Sequence, residues 1–395
     1  MLLREKDGYS LPTVLVVVFL ITTLLFGVIN WLFFTNLITL KALSGVKLKA
    51  AAIKDVNEYL SDTNNTAGNI KVNSNTFYLD LTATETNERD TLKGNFVYGI
   101  LPTDYFNNAL TITRPNLRAA VTGNTEINGN ILVTRKRIVK GNIYGIGSTS
   151  GDYLNGEIKV KKTISAKLFG DSLLKNIFNN RDEGIVEKNI FEKPVFTKKE
   201  ADSLKGSTIY VNSEMRFQGN FLKSKTDEEI KIYSRDNVNI SAGIQSNMFF
   251  YIMTDSSITI EEGCDISNAV FIAKKGIKIE KGCVFKNESF ISNKEIIVQE
   301  SQFNYPTVLA VYTEAEDTAQ LKNKIEIKSS AVNGTLMLVT TITGLPKNKS
   351  KIFIDEKSKI HGLIYSENNA EIRGEVYGSV FTFNLLYTTE DKEYI

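Results

Sequence analysis

The chain has 395 residues, and its 47 lysines and arginines almost balance its 45 aspartates and glutamates, which gives a formal net charge of +2. These charges are mixed along the sequence without a basic stripe, so nucleic acid is not an expected partner. Two cysteines are too few for a disulfide framework.

The first forty residues contain a long apolar run. No charged residue occurs between Gly8 and Leu40, and about twenty apolar residues are enough to cross the hydrocarbon core of a bilayer. A cleaved secretory signal has a shorter apolar stretch of about 7–15 residues. The run therefore predicts one transmembrane helix with membrane lipid as its partner. The anchoring side chains are expected to be Leu11, Val14, Val18, Ile21, Leu25, Ile29 and, at the far interface, Trp31.

The helix is expected to continue beyond the membrane as a stalk. Apolar residues recur at steps of three and four with charged residues mostly between them, which is typical of an amphipathic helix. The turn-forming residues 61–68 end this pattern. The apolar positions are Leu40, Leu43, Val46, Ala50, Ile53, Val56 and Leu60.

The N-terminal segment resembles those of type IV pilins and pseudopilins. A short charged leader ends at Gly8, and Tyr9 opens the apolar run. The resemblance covers residues 1–60 and implies cleavage between Gly8 and Tyr9, a place in the inner membrane with the C-terminal domain outside, and envelope or pilus-like proteins as partners. Thr13 stands where most pilins carry glutamate. A plain, uncleaved membrane anchor is the alternative.

A repeat dominates the second half of the chain. Ile258-Thr-Ile-Glu-Glu-Gly-Cys264 recurs as Ile277-Lys-Ile-Glu-Lys-Gly-Cys283, an offset of 19 residues (277 − 258), and another such step leads to Ile296. This period holds three short strands with tight corners, which stack into a β-helix. The coils resemble bactofilin-like and other β-solenoids. We expect Ile258, Ile277 and Ile296 to stack in one internal column.

A second motif, an apolar pair on either side of a glycine, is typical of a sharp bend between short strands. It occurs at Ile127–Ile131, Val139–Ile143, Leu154–Ile158, Phe217–Phe221, Val332–Leu336, Ile360–Ile364 and Ile372–Val376.

The predicted fold class is an all-β ectodomain, a β-helix of about 19 residues per coil, on a single long N-terminal transmembrane helix. The predicted divisions are a cytoplasmic leader, a transmembrane and stalk helix, a flanking β-region or irregular first coils, a charged excursion, the β-helix and a polar tail. They cover residues 1–8, 9–60, 61–171, 172–206, 207–390 and 391–395, respectively.

The sequence offers little catalytic or metal-binding chemistry. Cys264 and Cys283 fall at equivalent places on successive coils and predict a buried thiol ladder, with a disulfide or half of a metal site as alternatives. His361 is the only histidine and is expected at the surface. Glu261, Glu262 and Asp265 cluster at one corner, but lysines alternate with them. We therefore predict no catalytic residue, metal or cofactor, and expect no small-molecule substrate.

Apolar residues in register across the coils form a candidate partner surface. Residues next to this column are also mostly apolar, and adjacent strand residues face opposite sides. Both faces of the sheet should then be apolar, so the outer face needs a cover, either from the same chain or from a partner protein. The residues of the column are Phe271, Phe290, Leu309, Leu338 and Tyr365.

These patterns favour a structural or assembly subunit of the bacterial cell envelope, pilin-like or pseudopilin-like, which presents its β-helix to a partner protein. One alternative is an anchored protein that binds or cleaves polysaccharide. The other is a bactofilin-like polymer scaffold, which requires open coil ends.

Overall fold

The chain divides into two compact units, Met1–Ile100 and Leu101–Ile395. The structure is a computed structural model. It describes residues 35, 39, 41, 43–59, 70–74, 78–86, 91–99, 104–117, 119–135, 138–142, 146–147, 152–165, 167, 190–204, 206–222, 229–313, 322–340, 349–388 and 393–394.

The transmembrane helix in the predicted fold class is corrected by the structure. Within the described residues, no helix is both long and apolar enough to cross a bilayer. The helix that is described carries Lys47, Lys49, Lys54, Asp55 and Glu58. The predicted processing site and anchoring side chains lie outside the described residues: Gly8, Tyr9, Leu11, Val14, Val18, Ile21, Leu25, Ile29 and Trp31.

The first unit packs a helix, α1 (residues 43–59), against an antiparallel sheet. Ala52 and Val56 on α1 are buried together with Leu81 and Ala83, which lie on the central strand. The predicted apolar stripe therefore does not all face the core. The sheet has the order β1–β2–β3, with β1 Ile70–Ser74, β2 Tyr78–Thr86 and β3 Thr91–Gly99.

The second unit is a β-solenoid, as the repeat predicts. Each regular coil contributes one short strand to each of three parallel sheets, which we call sheets A, B and C and which the chain visits in that order. A short 3-10 helix, Asp104–Asn107, precedes the first strand of sheet A.

Sheet A runs through the whole solenoid. In spatial order its strands are β12 Thr208–Val211, β14 Ile230–Ser234, β17 Phe250–Thr254, β20 Ala269–Ala273, the second part of β22 Val284–Ser292, β24 Gln302–Thr313, β26 Ala331–Thr340, β28 Lys359–Ile372 and β29 Glu375–Leu385, then β4 Leu110–Ile112, β7 Ile131–Val133 and β10 Ile158–Val160.

Sheets B and C complete each coil. Sheet B contains β11 Val195–Phe196, β13 Met215–Phe217, β15 Val238–Ile240, β18 Ser257–Ile260, β21 Gly276–Ile279, β23 Glu295–Gln299, β25 Lys324–Lys328, β27 Lys351–Ile354 and the last part of β28. Sheet C contains β16 Gln245–Ser246, β19 Asp265–Ser267 and the first parts of β22, β24, β26, β28 and β29.

The remaining elements are short. The N-terminal coils add two parallel pairs, β5 Ala119–Val121 with β8 Ile138–Lys140, and β6 Ile127–Asn128 with β9 Leu154–Asn155. Helix α2 is Lys198–Ser203, and β30 Tyr387–Thr388 pairs with β31 Glu393–Tyr394 in an antiparallel hairpin.

The core is a set of inward columns that run along the solenoid axis. Ile258, Ile277 and Ile296 lie in register on successive strands of sheet B, and each is at most 1 % exposed. Inward and outward residues alternate along these strands, since successive side chains in a strand point to opposite faces. The repeated isoleucines of the sequence therefore stack along one continuous core.

Glycine at the corner between sheets C and A allows successive coils to approach closely. A Cβ atom on Gly362 would lie 2.0 Å from the carbonyl oxygen of Gly334 on the preceding coil, and Gly362 has a φ of +143°. Ile360 and Ile364 flank this glycine and both point into the core. The apolar pair around a glycine thus marks this corner, because only glycine fits it.

The order of coils in space differs from their order in the sequence. Strand β4, near the start of the second unit, pairs with β29, near its end, and places Thr111 beside Phe381. The backbone N–H of Val380 donates to the carbonyl of Ala109 at 3.0 Å, and Ser379 Oγ donates to the carbonyl of Asn108 at 2.6 Å. The coils of residues 104–165 therefore extend the solenoid beyond its C-terminal coil.

We expect Ile277→Asp to destabilise the protein by more than about 4 kcal/mol, because it places an unpaired charge in the isoleucine column. Denaturant unfolding measures the loss. Lys278→Asp is the matched control, since the neighbouring Lys278 side chain is 51 % exposed. Similar unfolding midpoints for the two variants would contradict the inward assignment.

Candidate assembly surfaces

The five residues of the predicted partner surface are buried. Phe271, Phe290 and Leu309 are in register on sheet A and belong to the core, as does Leu338. Tyr365 points the other way, is fully buried, and donates its hydroxyl to Glu367 at 2.8 Å. These five residues cannot present a free surface, so this prediction is wrong.

The error comes from the register of two coils. Leu309 is paired with Leu336, and Leu336 with Ile364, so the column passes through neither Leu338 nor Tyr365. A shift of two residues keeps a side chain on the same face, whereas a shift of one moves it to the other face. Leu338 therefore stays in the core and Tyr365 turns outward.

The outer face of sheet A is apolar and shielded from solvent. Ile272, Ile291 and Met337 point away from the core but are at most 4 % exposed. Part of the cover is the 3-10 helix, since the rings of Tyr105 and Phe106 lie 6.0 and 6.1 Å from that of Phe381. This face is not available to a partner.

The two cysteines are free and buried. Both Sγ atoms lie 3.2 Å from the carbonyl oxygen of Glu261, which places the thiols side by side on neighbouring coils. The hydrogen bond with Cys283, together with burial, raises the pKa of the Cys264 thiol. Within the described residues, no three His, Cys, Asp or Glu side chains are grouped as a metal site would require.

The acidic corner is dispersed into ion pairs. Glu261 pairs with Arg216 and also accepts the backbone N–H of Ala242 at 3.0 Å. Glu262 lies 3.5 Å from Lys281. These contacts hold the carboxylates apart on the surface of the solenoid instead of directing two of them toward one point.

His361 lies on the exposed outer face of sheet C, in agreement with its predicted position at the surface. Its ring stacks on Tyr377 with centroids 4.6 Å apart, and the Tyr377 hydroxyl donates to Glu375 at 2.6 Å. That hydrogen bond raises the pKa of Tyr377. Tyr377 is 54 % exposed, and Tyr305, in the irregular stretch of β24 between sheets C and A, is 66 % exposed. The stacking of His361 on Tyr377 was not predicted from the sequence, because the two residues meet only when neighbouring coils stack.

Helix α1 has a second apolar face. Leu43, Val46 and Ile53 are 51 %, 65 % and 41 % exposed, and their spacing of three and seven places them on one side of the helix. Ala52 and Val56 lie on the adjacent side, against the sheet. Of the predicted amphipathic stripe, Val56 is therefore buried, whereas Leu43, Val46 and Ile53 are exposed.

One buried carboxyl stands alone in the core. Glu288 is fully buried, and neither of its carboxyl oxygens has a hydrogen-bond partner in the described part of the chain. Burial raises the pKa of Glu288 well above its ordinary value. Buried Glu371, in contrast, contacts Lys351 at 2.7 Å and Arg373 at 2.6 Å.

The chain matches no family model, no curated protein and no solved structure.

We expect Glu288→Gln to stabilise the protein increasingly as the pH rises above 4.5, the ordinary glutamate pKa. Below that pH both folded and unfolded states hold the proton. Above it, the unfolded chain ionises while the buried carboxyl stays neutral, so the wild type loses up to about 1.4 kcal/mol per pH unit relative to the variant. Unfolding free energies at several pH values measure the difference.

Glu326→Gln is the control with the opposite sign. Burial alone would raise the pKa of Glu326, but hydrogen bonds from Lys324 and Lys328 outweigh it and lower the pKa. This variant should be less stable than the wild type above pH 4.5, with the deficit shrinking in acid. If both variants showed the same trend, Glu288 would not be neutral in the fold.

Proposed function

We propose that the protein is a non-enzymatic assembly subunit of the bacterial cell envelope, in which α1 packs against a partner protein and the β-solenoid forms the rigid body. The observation that carries this proposal is the second apolar face of α1. Three large apolar side chains, Leu43, Val46 and Ile53, are exposed there.

A helix whose apolar side chains extend beyond one packed face is normally buried there as well, and contiguous exposed apolar side chains usually mark an interaction site. One side of α1 is already buried against β2 by Ala52 and Val56. The other side therefore needs a second protein surface. The resemblance of residues 1–60 to pilin-type N-termini supports both an envelope location and this mode of association.

A photoreactive amino acid at position 46, in the full chain in its producing cell, should give a discrete crosslinked complex. Mass spectrometry then tells whether the partner is another copy or a different protein. The matched position is Glu58, which is also exposed, at 55 % of its side chain, but lies to one side of the apolar face. Leu43→Glu with Ile53→Glu should reduce the yield at position 46. Equal yields at positions 46 and 58 would contradict the proposal.

Polysaccharide binding is a second candidate because of the outer face of sheet C. Gln302 and Tyr377 are exposed there, Lys359 and Glu375 neutralise each other at 3.1 Å, and successive coils advance by about 4.8 Å. Amides and tyrosine rings on a face without net charge suit hydroxyl groups and sugar rings.

If this face binds a glycan, Tyr305→Ala with Tyr377→Ala should abolish co-sedimentation of the folded protein with insoluble cell-wall polysaccharide. Lys278→Ala, on sheet B, should not change it. Failure of the wild-type protein to co-sediment would remove this candidate.

A further inference from the structure

The two ends of the solenoid are built differently, and one end is capped. There, Phe196 is fully buried, and its ring lies 5.1 Å from that of Phe217 and 6.1 Å from that of Phe221. Helix α2 follows directly and buries Ala201. Aromatic rings and a helix thus close the core at this end.

At the opposite end, at β10, the last core layer is partly exposed. Ile158 and Val160 are in register with Ile131 and Val133, which are 0 % and 5 % exposed and belong to the core. Val160 is nevertheless 50 % exposed. Among the described strands β10 pairs only with β7, so within the described residues its other edge has no strand partner. Terminal coils normally need a cap because the next coil is missing.

Positive charge is concentrated around this open end. Lysines on β8, on β10 and just after β10 are all exposed, and so is the arginine after β7, whereas the exposed acids described within residues 131–165 are Asp152 and Glu157. The whole chain has a net charge of only +2, so the excess is local. The basic residues, which we call the basic rim, are Arg135, Lys140, Lys159, Lys161 and Lys162.

We propose that the open end is the docking site of an extended acidic segment of a partner protein, which adds a strand to β10. The free edge of β10 requires backbone hydrogen bonds, the exposed Val160 requires an apolar neighbour, and the basic rim requires negative charge. A strand that alternates acidic and apolar residues satisfies all three. A second copy of this end would bring two basic rims together, and like charges across an interface disfavour such pairing.

Anionic lipid is the main competing ligand, because it would satisfy the lysines. It has no backbone with which to pair β10, so the strand requirement separates the two. This interface is distinct from the α1 face, and the proposal stands without it.

The test uses the full-length protein and a fluorescent peptide of about nine alternating glutamates and valines, a typical strand length, with binding followed by anisotropy. We expect salt-sensitive binding. Lys159→Glu with Lys162→Glu should weaken it at least about tenfold. Lys275→Glu with Lys294→Glu changes exposed lysines of other coils and should leave it unchanged.

A peptide with proline in place of the central valines keeps the charge but cannot pair as a strand, so it should not bind. Val160→Asn should weaken binding while leaving the rim intact. Equal affinity for both peptides, or an unchanged affinity in the folded rim variant, would overturn the proposal. So would binding of phosphatidylserine vesicles with no binding of the glutamate–valine peptide.

Discussion

Parallel, in-register pairing between successive coils is the constraint on which the rest of the solenoid depends. It aligns each inward side chain with its equivalent one coil away, as in the column of Ile258, Ile277 and Ile296. The inward side chains of every coil must therefore be apolar and of a size that fits the narrow interior of the solenoid. Glu288 is an exception, because it occupies a core position between Ala269 and Thr307 without a hydrogen-bond partner in the described residues.

The same pairing joins parts of the chain that are far apart in sequence. Ser379 and Asn108 are hydrogen-bonded across 271 residues, and Arg114 donates to Asn384 across 270. The C-terminal coil is therefore an internal coil, and it needs no cap. The final hairpin instead packs beside the solenoid, where the Thr388 hydroxyl contacts buried Glu371 at 2.8 Å. Closing so long a loop delays these contacts, since long-range pairing is slow to form.

The sequence predicts the solenoid where its period is regular. The 19-residue step between Cys264 and Cys283 places the thiols on neighbouring coils, and the glycine between Ile360 and Ile364 marks a corner. The prediction fails where insertions change the length of the repeat. The predicted register is off by one residue at Tyr365, so its side chain points outward instead of into the core. The pairing of β4 with β29 could not be predicted from the sequence, because pairing between distant segments leaves no local sequence pattern.

Apolar spacing also failed to predict which side of α1 is buried. The predicted apolar stripe combines Val46 and Ile53 with Val56, although the structure places Val56 against β2. Two interleaved apolar faces give the same steps of three and four as one broad face, so spacing alone cannot separate them. Only the position of the sheet decides which residues are covered.

The difference between the two ends limits how the solenoid could assemble. A fibre of stacked coils needs two complementary ends, as the polymer-scaffold alternative requires. Here α2 and Phe196 close one end, whereas β10 leaves the other end open and basic. Growth by coil stacking could then proceed from one end only, and like charge opposes the joining of two such ends. The geometry therefore favours a finite complex, in which the open end receives one partner segment and the fully packed columns behind it keep that end rigid.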